Sequence, residues 1–312
     1  MSTQLKLGAL CWNQYADWPA LHHAGVRADQ LGYDSLWTWD HLYPIVGSHE
    51  GPIFEGWMTL ASWARATERV RLGLMVGANT VRNPALVAMM ATTLDHISRG
   101  RATLGIGGAW FETEHVAFGL EFGSSPGERL RWLEEAVQIM RGMLHGEEPS
   151  GSRYYAARKV RNDPPPVQER LPILVGGGGE RRTLRIVAQY ADANNVGGGI
   201  DAVRRKEAVL QRWCAEVGRD PAEIERTSGM GVVVIRDDPA EARRVFDAIF
   251  EHNGHARPWS SELVGAPEQV AEKMRPFVEL GYRHLTIGFP HPYDAETMER
   301  MITDVKPLVE AA

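Results

Sequence analysis

Eight short apolar segments alternate with longer segments of helical pattern along the 312 residues, and this alternation limits the fold more than any other feature. The short segments predict β-strands at Leu5–Leu10, Ser35–Thr38, Arg71–Val76, Ala102–Ile106, Ile173–Val175, Ala193–Val196, Gly229–Ile235 and His284–Gly288. The longer segments predict helices at about Trp18–Leu31, Gly56–Thr67, Pro84–Ile97, Gly127–Leu144, Glu180–Tyr190, Asp201–Val217, Pro239–Asn253, Pro267–Leu280 and Ala295–Val309. Strands that alternate with helices form parallel βα units. Eight such units favour an α/β fold of the closed (β/α)8 type, a TIM barrel, over an open sheet.

Two segments interrupt this alternation. Residues 145–172 are rich in Gly, Pro, Arg and Tyr and predict a long insertion between the fourth helix and the fifth strand. Residues 254–266 predict a second long loop. Because loops of this length in compact domains are usually functional or mobile, we expect the determinants of substrate choice in residues 43–57, 145–172 and 251–266. No repeat or linker divides the chain, so we expect one domain over residues 1–312.

Charge and cysteine content narrow the class of partner. The formal net charge is −6, so the chain lacks the basic field that attracts nucleic acid or an anionic membrane. Cys11 and Cys214 are too few for a disulfide framework and lack the spacing of a zinc site, which predicts no metal and a reducing, cytoplasmic compartment. No apolar run approaches the roughly 18 residues of a membrane span. These features leave a small-molecule substrate as the expected partner.

Two Asp-His pairs occur, and their positions relative to the predicted strands differ. Asp40-His41 directly follows the second predicted strand, whereas Asp95-His96 ends the third predicted helix. Barrel enzymes build their active sites from the loops that follow the carboxyl ends of the strands. We therefore predict catalytic roles for His41 and Asp40, the alternative being a histidine packed at the barrel rim. Asp95-His96 falls at the opposite face, where a donor side chain can satisfy helix-end carbonyls.

Small residues follow the third and fourth predicted strands. Met75, Val76 and Gly77 lead to Asn79, and Gly107, Gly108 and Ala109 lead to Trp110. Small residues at a barrel mouth let a planar ring approach the backbone, so we predict that both runs bind a cofactor. A simple bulge in the first run and a glycine turn with a core tryptophan in the second are the alternatives. The second run fails the dinucleotide fingerprint, because Trp110 takes the third glycine position.

Four glycines, Gly176, Gly177, Gly178 and Gly179, separate the fifth predicted strand from the next helix, which begins near Glu180 and carries Arg181. Backbone N–H groups at a helix N-terminus make an anion site, and glycine removes the side chains that would block it. Arg181 could add a charge-assisted contact. We predict a phosphate-binding loop, with a flexible turn as the alternative.

Several other signatures are missing from the sequence. There is no Walker phosphate loop, no Gly-x-Ser-x-Gly elbow and no His-Glu-x-x-His zinc motif. No lysine follows a predicted barrel strand, which disfavours Schiff-base chemistry.

Several motifs together resemble the luciferase-like monooxygenase superfamily, and in particular its branch that uses the deazaflavin coenzyme F420. The resemblance covers nearly the whole chain. The residues that carry it are Asn83-Pro84-Ala85-Leu86-Val87-Ala88, Thr93-Leu94-Asp95-His96-Ile97-Ser98-Arg99-Gly100-Arg101, Gly107-Gly108-Ala109-Trp110-Phe111-Glu112 with Glu114-His115, Arg129 with Leu133-Glu134-Glu135-Ala136, and Gly176 to Leu184.

The resemblance implies a barrel with an insertion before the fifth strand, and usually a homodimer. It implies that the Asp40-His41 pair lies beside the reactive ring, that a bulge near Met75-Val76-Gly77, often with a non-proline cis peptide, supports the ring, and that the glycine loop holds the cofactor phosphate. One departure stands out: where relatives often have Asp-Gly-Trp-Asn, this chain has Asp192-Ala193-Asn194-Asn195. The contribution of the sixth strand to the site is therefore open.

Our main hypothesis is an F420-dependent oxidoreductase that moves a hydride between the coenzyme and a small organic substrate, with His41 handling the proton. A histidine suits that task because its unperturbed pKa is near neutrality. Trp12, Asn13, Asn79 and Trp110 are expected on the pocket wall. Two alternatives remain open: an FMN-dependent monooxygenase that uses molecular oxygen, and a barrel that binds a phosphorylated ligand without redox chemistry.

Overall fold

Parallel β-strands close into a barrel in the computed structural model, which describes residues 4–151, 153–254 and 263–311. The strands are β1 (Lys6–Cys11), β2 (Ser35–Thr38), β3 (Arg71–Leu74), β4 (Gly77–Ala78), β5 (Ala102–Gly107), β6 (Ile173–Gly176), β7 (Ala193–Gly197), β8 (Glu225–Ile235), β9 (Leu263–Gly265) and β10 (His284–Phe289). Neighbours around the barrel are β1, β2, β3, β5, β6, β7, β8 and β10, and β10 closes the ring by pairing with both β8 and β1. The predicted (β/α)8 barrel is confirmed.

Helices follow the strands and cover the outside of the barrel. They are α1 (Trp18–Leu31), α2 (Gly56–Ala66), α3 (Pro84–Ser98), α4 (Glu112–Phe118), α5 (Pro126–Leu144), α6 (Thr183–Tyr190), α7 (Ile200–Val217), α8 (Pro239–His252), α9 (Pro267–Glu279), α10 (Ala295–Arg300) and α11 (Lys306–Glu310). Local sequence explains many of the boundaries. Asn83 caps α3 through the backbone N–H of Ala85, and Pro84 takes a first-turn position that needs no N–H donor. Gly218 ends α7 in the left-handed conformation.

The structure departs from the sequence prediction at several elements. The third strand stops at Leu74, and after Met75 and Val76 the separate short strand β4 begins at Gly77. Helix α4 and the short strand β9, which pairs with the end of β8, were not predicted. Helix α6 begins at Thr183 rather than Glu180. The last helix is interrupted by a π-helical turn, Met301–Val305.

The Asp95-His96 pair fastens the insertion to the barrel. Residues 145–172 join α5 to β6 with neither helix nor strand in their described part. The buried Asp95 carboxylate accepts hydrogen bonds from the backbone and side-chain nitrogens of Gln168, at 2.9 and 2.6 Å. The Nε2 of His96 lies 2.8 Å from the carbonyl oxygen of Pro165, so it partners the insertion instead of the end of its own helix. The pair is placed at the amino-terminal face of the barrel, as expected.

A polar cluster closes that same amino-terminal face. Glu225 accepts a hydrogen bond from Lys6 at 2.7 Å, and His284 Nδ1 lies 3.3 Å from the same carboxylate oxygen. Burial raises the pKa of Glu225, but His284 and Lys6 outweigh burial and lower it to about 2. This face lies opposite the loops that form active sites in barrel enzymes, so we expect the cluster to serve stability rather than catalysis. No helix in the described part of the chain has the length and apolar character to cross a membrane.

Candidate active site

A cavity of about 740 Å³ opens at the carboxyl ends of the strands from β2 to β7. Its size is in the range of cofactor pockets, about 300–1,000 Å³. The described residues that line it are Trp39, His41, Ile45, Met75, Val76, Gly77, Ala78, Gly107, Gly108, Ala109, Trp110, Pro126, Leu130, Gly176, Gly177, Thr183 and Asn195. Residues from four separately predicted runs, after the second, third, fourth and fifth strands, therefore meet in one place.

Val76 forms an apolar shelf in this cavity. The peptide bond between Met75 and Val76 is cis, as the resemblance implied. A Cβ atom on Gly107 would lie 2.7 Å from a Val76 methyl group, and one on Gly176 would lie 2.8 Å from it. Both distances are far below an ordinary carbon–carbon contact. Glycine at these two positions therefore lets three strands close around the valine and leaves a smooth surface for a ring.

His41 is oriented by a buried glutamate. Its Nδ1 lies 3.0 and 3.2 Å from the two carboxylate oxygens of Glu114, a residue of α4 that is 1% exposed. Glu114 also accepts a hydrogen bond from the backbone N–H of Leu42 at 2.8 Å. A carboxylate is an acceptor, so the neutral imidazole places its proton on Nδ1 and leaves Nε2 as the basic nitrogen. The ring of Trp110 packs edge-on against His41 at 5.5 Å.

Asp40 lies behind the cavity and not on its lining. Its carboxylate accepts two hydrogen bonds from Arg82 at 2.8 Å and one from the backbone N–H of Ala78 at 3.0 Å. The second guanidinium nitrogen of Arg82 donates to Glu55 at 2.7 Å. Burial raises the pKa of Asp40 against the opposing effect of Arg82. Asp40, which was predicted to be catalytic, therefore contacts Arg82 and the segment that carries the Val76 shelf rather than the cavity.

Only the first two glycines of the glycine loop line the cavity. Gly176 and Gly177 line it, and the N-terminal residue of α6, Thr183, lines it beside them. The structure places Gly178, Gly179 and Arg181 outside the described lining. A Cβ atom on Gly178 would meet the side chain of Lys206 at 2.6 Å, so that glycine makes room for a lysine. Of the four glycines predicted to bind an anion, two therefore line the cavity together with the start of α6, and the anion site itself stays a prediction.

Three residues that were predicted on the pocket wall do not line this cavity. Asn13 is fully buried, and its amide nitrogen donates to the carbonyl oxygens of Trp39 and Phe54. The backbone oxygen of Asn79, which is 2% exposed, accepts a hydrogen bond from the Tyr155 hydroxyl at 3.1 Å.

Asn13 and Asn79 therefore support the mouth of the barrel from behind rather than face its cavity. Trp12 lines a second, smaller cavity beside Trp39.

Sequence reasoning missed two partners that position predicted residues, Glu114 and Arg82. It also missed Thr183 as a residue of the cavity lining. Glu114 carried a signal, because it belongs to the motif on which the resemblance rests, but its pairing with His41 spans 73 positions of sequence. Within the described ranges, no three His, Cys, Asp or Glu side chains form a group that could hold a metal ion.

Comparison with known proteins identifies the class. Residues 10–263 match the family model for luciferase-like monooxygenases, which is most of the chain, so this protein belongs to that family. A relative from Intrasporangium calvum, an F420-dependent glucose-6-phosphate dehydrogenase, is 29% identical over 90% of this chain and 92% of its own length.

Two solved structures share the fold. An F420-dependent secondary alcohol dehydrogenase, in complex with an F420-acetone adduct, has a TM-score of 0.83 at 19% identity and covers 98% of this chain and 99% of its own. A long-chain alkane monooxygenase has a TM-score of 0.83 at 15% identity and covers 100% and 92%. The fold expected from the resemblance is confirmed.

Proposed function

We propose that this protein is an oxidoreductase that moves a hydride between coenzyme F420 and a small organic substrate. The observation that carries the proposal is the pairing of His41 with the buried Glu114 at the edge of the Val76 shelf. F420-dependent dehydrogenases among the relatives that span nearly the whole chain support the choice of cofactor.

The cavity fits a flat, phosphorylated cofactor. The Val76 shelf is apolar and is kept free of neighbouring side chains by Gly107 and Gly176. At its other end, Gly177 leaves the surface open beside the first residue of α6, Thr183, whose hydroxyl is a donor at a helix N-terminus, where an anion is favoured. The ring would lie on the shelf, and its phosphate would lie against the start of α6.

His41 handles the proton of the reaction. When bound, the deazaflavin ring accepts or gives the hydride. Since Glu114 holds the proton of His41 on Nδ1, Nε2 is free to take a proton from the substrate during oxidation and to return it during reduction. Trp110 and Ile45 line the same cavity as His41. Glu114 acts through His41, as a positioning residue.

The experiment that tests this function has two arms. Titration of the purified protein with oxidised F420 and with FMN, followed by absorbance, should give clearly tighter binding of F420. Tighter binding of FMN together with oxygen consumption would favour a monooxygenase instead. Absence of any cofactor-dependent turnover would favour a non-redox barrel.

In the second arm, His41→Ala should lower kcat by roughly 10²–10⁴-fold, the range for a lost acid–base group. His96→Ala is the matched control, because His96 contacts the insertion at the opposite face of the barrel. It should lower the melting temperature and leave kcat nearly unchanged. The reverse pattern would contradict the assignment.

We also propose that the protein forms a cytoplasmic homodimer through α2 and α3. These neighbouring helices expose Met58, Leu86 and Met89 at 71%, 51% and 48%. Clustered exposed apolar side chains mark an interaction surface more often than single ones do. Light scattering should report twice the monomer mass, and Leu86→Glu should reduce it. Val167→Glu, at a 52% exposed site in the insertion, is the control. A monomeric wild type would overturn the proposal.

A further inference from the structure

A second cavity of about 190 Å³ lies beside the first, inside the mouth of the barrel. The two cavities share Trp39, which follows β2 two positions before His41. The rings of Trp12 and Trp39 pack at 4.6 Å and form one wall. The smaller cavity is therefore next to the position where His41 would meet a substrate.

The wall of this smaller cavity is apolar. Besides the two tryptophans, Leu10 and Val232 contribute aliphatic surface. The one hydroxyl on the described lining belongs to Thr286, and it donates to the carbonyl oxygen of Ser228 at 3.3 Å. None of the described lining residues carries a charge. A phosphate or carboxylate placed here would lose its hydration without gaining a cation, which is costly.

Glycines keep the cavity open. Gly197 ends β7, pairs with Gly229 of β8, and both line the cavity. Gly197 follows Ala193 and Asn195 at the two-residue spacing of a strand, so a side chain there would point to the same barrel interior. A Cβ atom on Gly197 would meet nothing within 4 Å, and one on Gly229 would come no nearer than 3.8 Å to Thr286. Packing therefore does not require glycine at either position, and the vacant volume is left for a ligand.

We infer that the substrate is an alcohol, or the matching carbonyl compound, that carries a compact uncharged apolar group, and that this group occupies the Trp12–Trp39 cavity. The inference rests on the proposed function. In oxidation, the carbinol C–H bond breaks and its electron pair leaves with the hydrogen as hydride to oxidised F420. The hydroxyl proton passes to Nε2 of His41, and a C=O bond forms. The reduction runs in reverse with reduced F420.

The volume sets the size of the apolar group. A dry engineered cavity of roughly 150 Å³ in another protein accepts benzene. About 190 Å³ therefore suits a six-membered ring or a branched chain of similar bulk. Among otherwise similar alcohols, a missing methylene in an apolar pocket lowers kcat/KM on the order of tenfold or more.

The test compares cyclohexanol, cyclopentanol, 2-propanol and glucose 6-phosphate as substrates of the F420-loaded enzyme. We expect kcat/KM to be highest for cyclohexanol and lowest for the sugar phosphate. Gly197→Leu should fill the cavity, reduce kcat/KM for cyclohexanol at least tenfold and change it little for 2-propanol. Gly199→Ser is the matched control, because a Cβ atom at Gly199 also meets nothing within 4 Å but this residue lies outside the described lining.

A readout without turnover separates this inference from the proposed function. Saturation-transfer NMR on the cofactor-free protein should detect cyclohexanol with the wild type and with Gly199→Ser, and not with Gly197→Leu. Loss of F420 binding with this pattern intact would overturn the function and leave the cavity assignment standing. F420 turnover that favours glucose 6-phosphate, or saturation transfer unaffected by Gly197→Leu, would overturn the inference and leave the function standing.

Discussion

Replacing Arg82 with methionine should destabilise the protein by about 3 kcal/mol. The substitution preserves much of the side-chain length but leaves the Asp40 carboxylate, 3% exposed, without its cationic partner. Breaking a buried ion pair in this way costs roughly 3–5 kcal/mol, and we take the lower end because Arg82 is itself 14% exposed. At about 2 °C per kcal/mol for a chain of this size, the melting temperature should fall by roughly 6 °C.

The pH dependence of that loss is the sharper test. Burial already raises the pKa of Asp40, and removing Arg82 should raise it further. A carboxyl group with a raised folded-state pKa contributes stability that is fully present below its unfolded pKa of about 3.9 and is lost as the pH rises through the folded pKa. The deficit of Arg82→Met relative to the wild type should therefore be largest at pH 8 and shrink toward pH 4.

Denaturant unfolding at several pH values measures this difference, and a double-mutant cycle supplies the control. Asp40→Asn keeps an acceptor for the backbone N–H of Ala78 and removes the charge. Combined with Arg82→Met, it should be less destabilising than the sum of the two single changes, by about 1–3 kcal/mol. A deficit that does not vary with pH, together with additive single changes, would refute the buried ion pair as the anchor of the shelf.

Three further predictions concern separate parts of the chain. Glu114→Gln should lower kcat by up to roughly 10²–10⁴-fold and alter its pH profile with little effect on cofactor binding; an unchanged profile would show that Glu114 does not orient His41. Thr183→Val should weaken F420 binding roughly 10- to 150-fold, the value of one hydrogen bond to a charged group, and titration showing normal affinity would place the phosphate elsewhere. Because the pKa of Glu225 is lowered to about 2, its contribution to stability is present above about pH 4.3 and lost as the pH falls. Glu225→Gln should flatten calorimetric melting temperature against pH between about 5 and 2, and an unchanged slope would contradict this.

The barrel could be predicted from sequence because its elements have a regular pattern and common boundary residues. Proline and a capping asparagine mark the start of α3, and the apolar strands are short and well separated. The missed elements lack such signals. Helix α4 is only seven residues long and follows Phe111, which gives no side-chain cap. Strand β9 has three residues. Residues 255–262 of the predicted loop 251–266 lie outside the described residues.

The loops predicted to determine substrate choice differ in whether they reach the larger cavity, and their role in substrate choice stays a prediction. Ile45 of residues 43–57 lines the larger cavity, whereas no described residue of 145–172 does. The insertion reaches the mouth indirectly, through the hydroxyl of Tyr155 on Asn79. Composition shows that a segment is long and irregular, but contacts decide which face of the barrel it covers.

The same limit explains why the candidate site could be located but its roles could not be assigned. Asp40 and His41 are adjacent in sequence at the end of the same strand. The rule that barrel active sites form at the carboxyl ends of the strands therefore predicts the same role for both. Successive residues of an extended chain point to opposite sides, and here the Asp40 carboxylate meets Arg82 behind the shelf while the His41 ring meets the cavity. The partners that separate them, Arg82 and Glu114, lie 42 and 73 positions further along. Chemistry at a barrel mouth thus depends on pairings between loops, which a single sequence does not reveal, and the Arg82 and Glu114 variants test those two pairings independently.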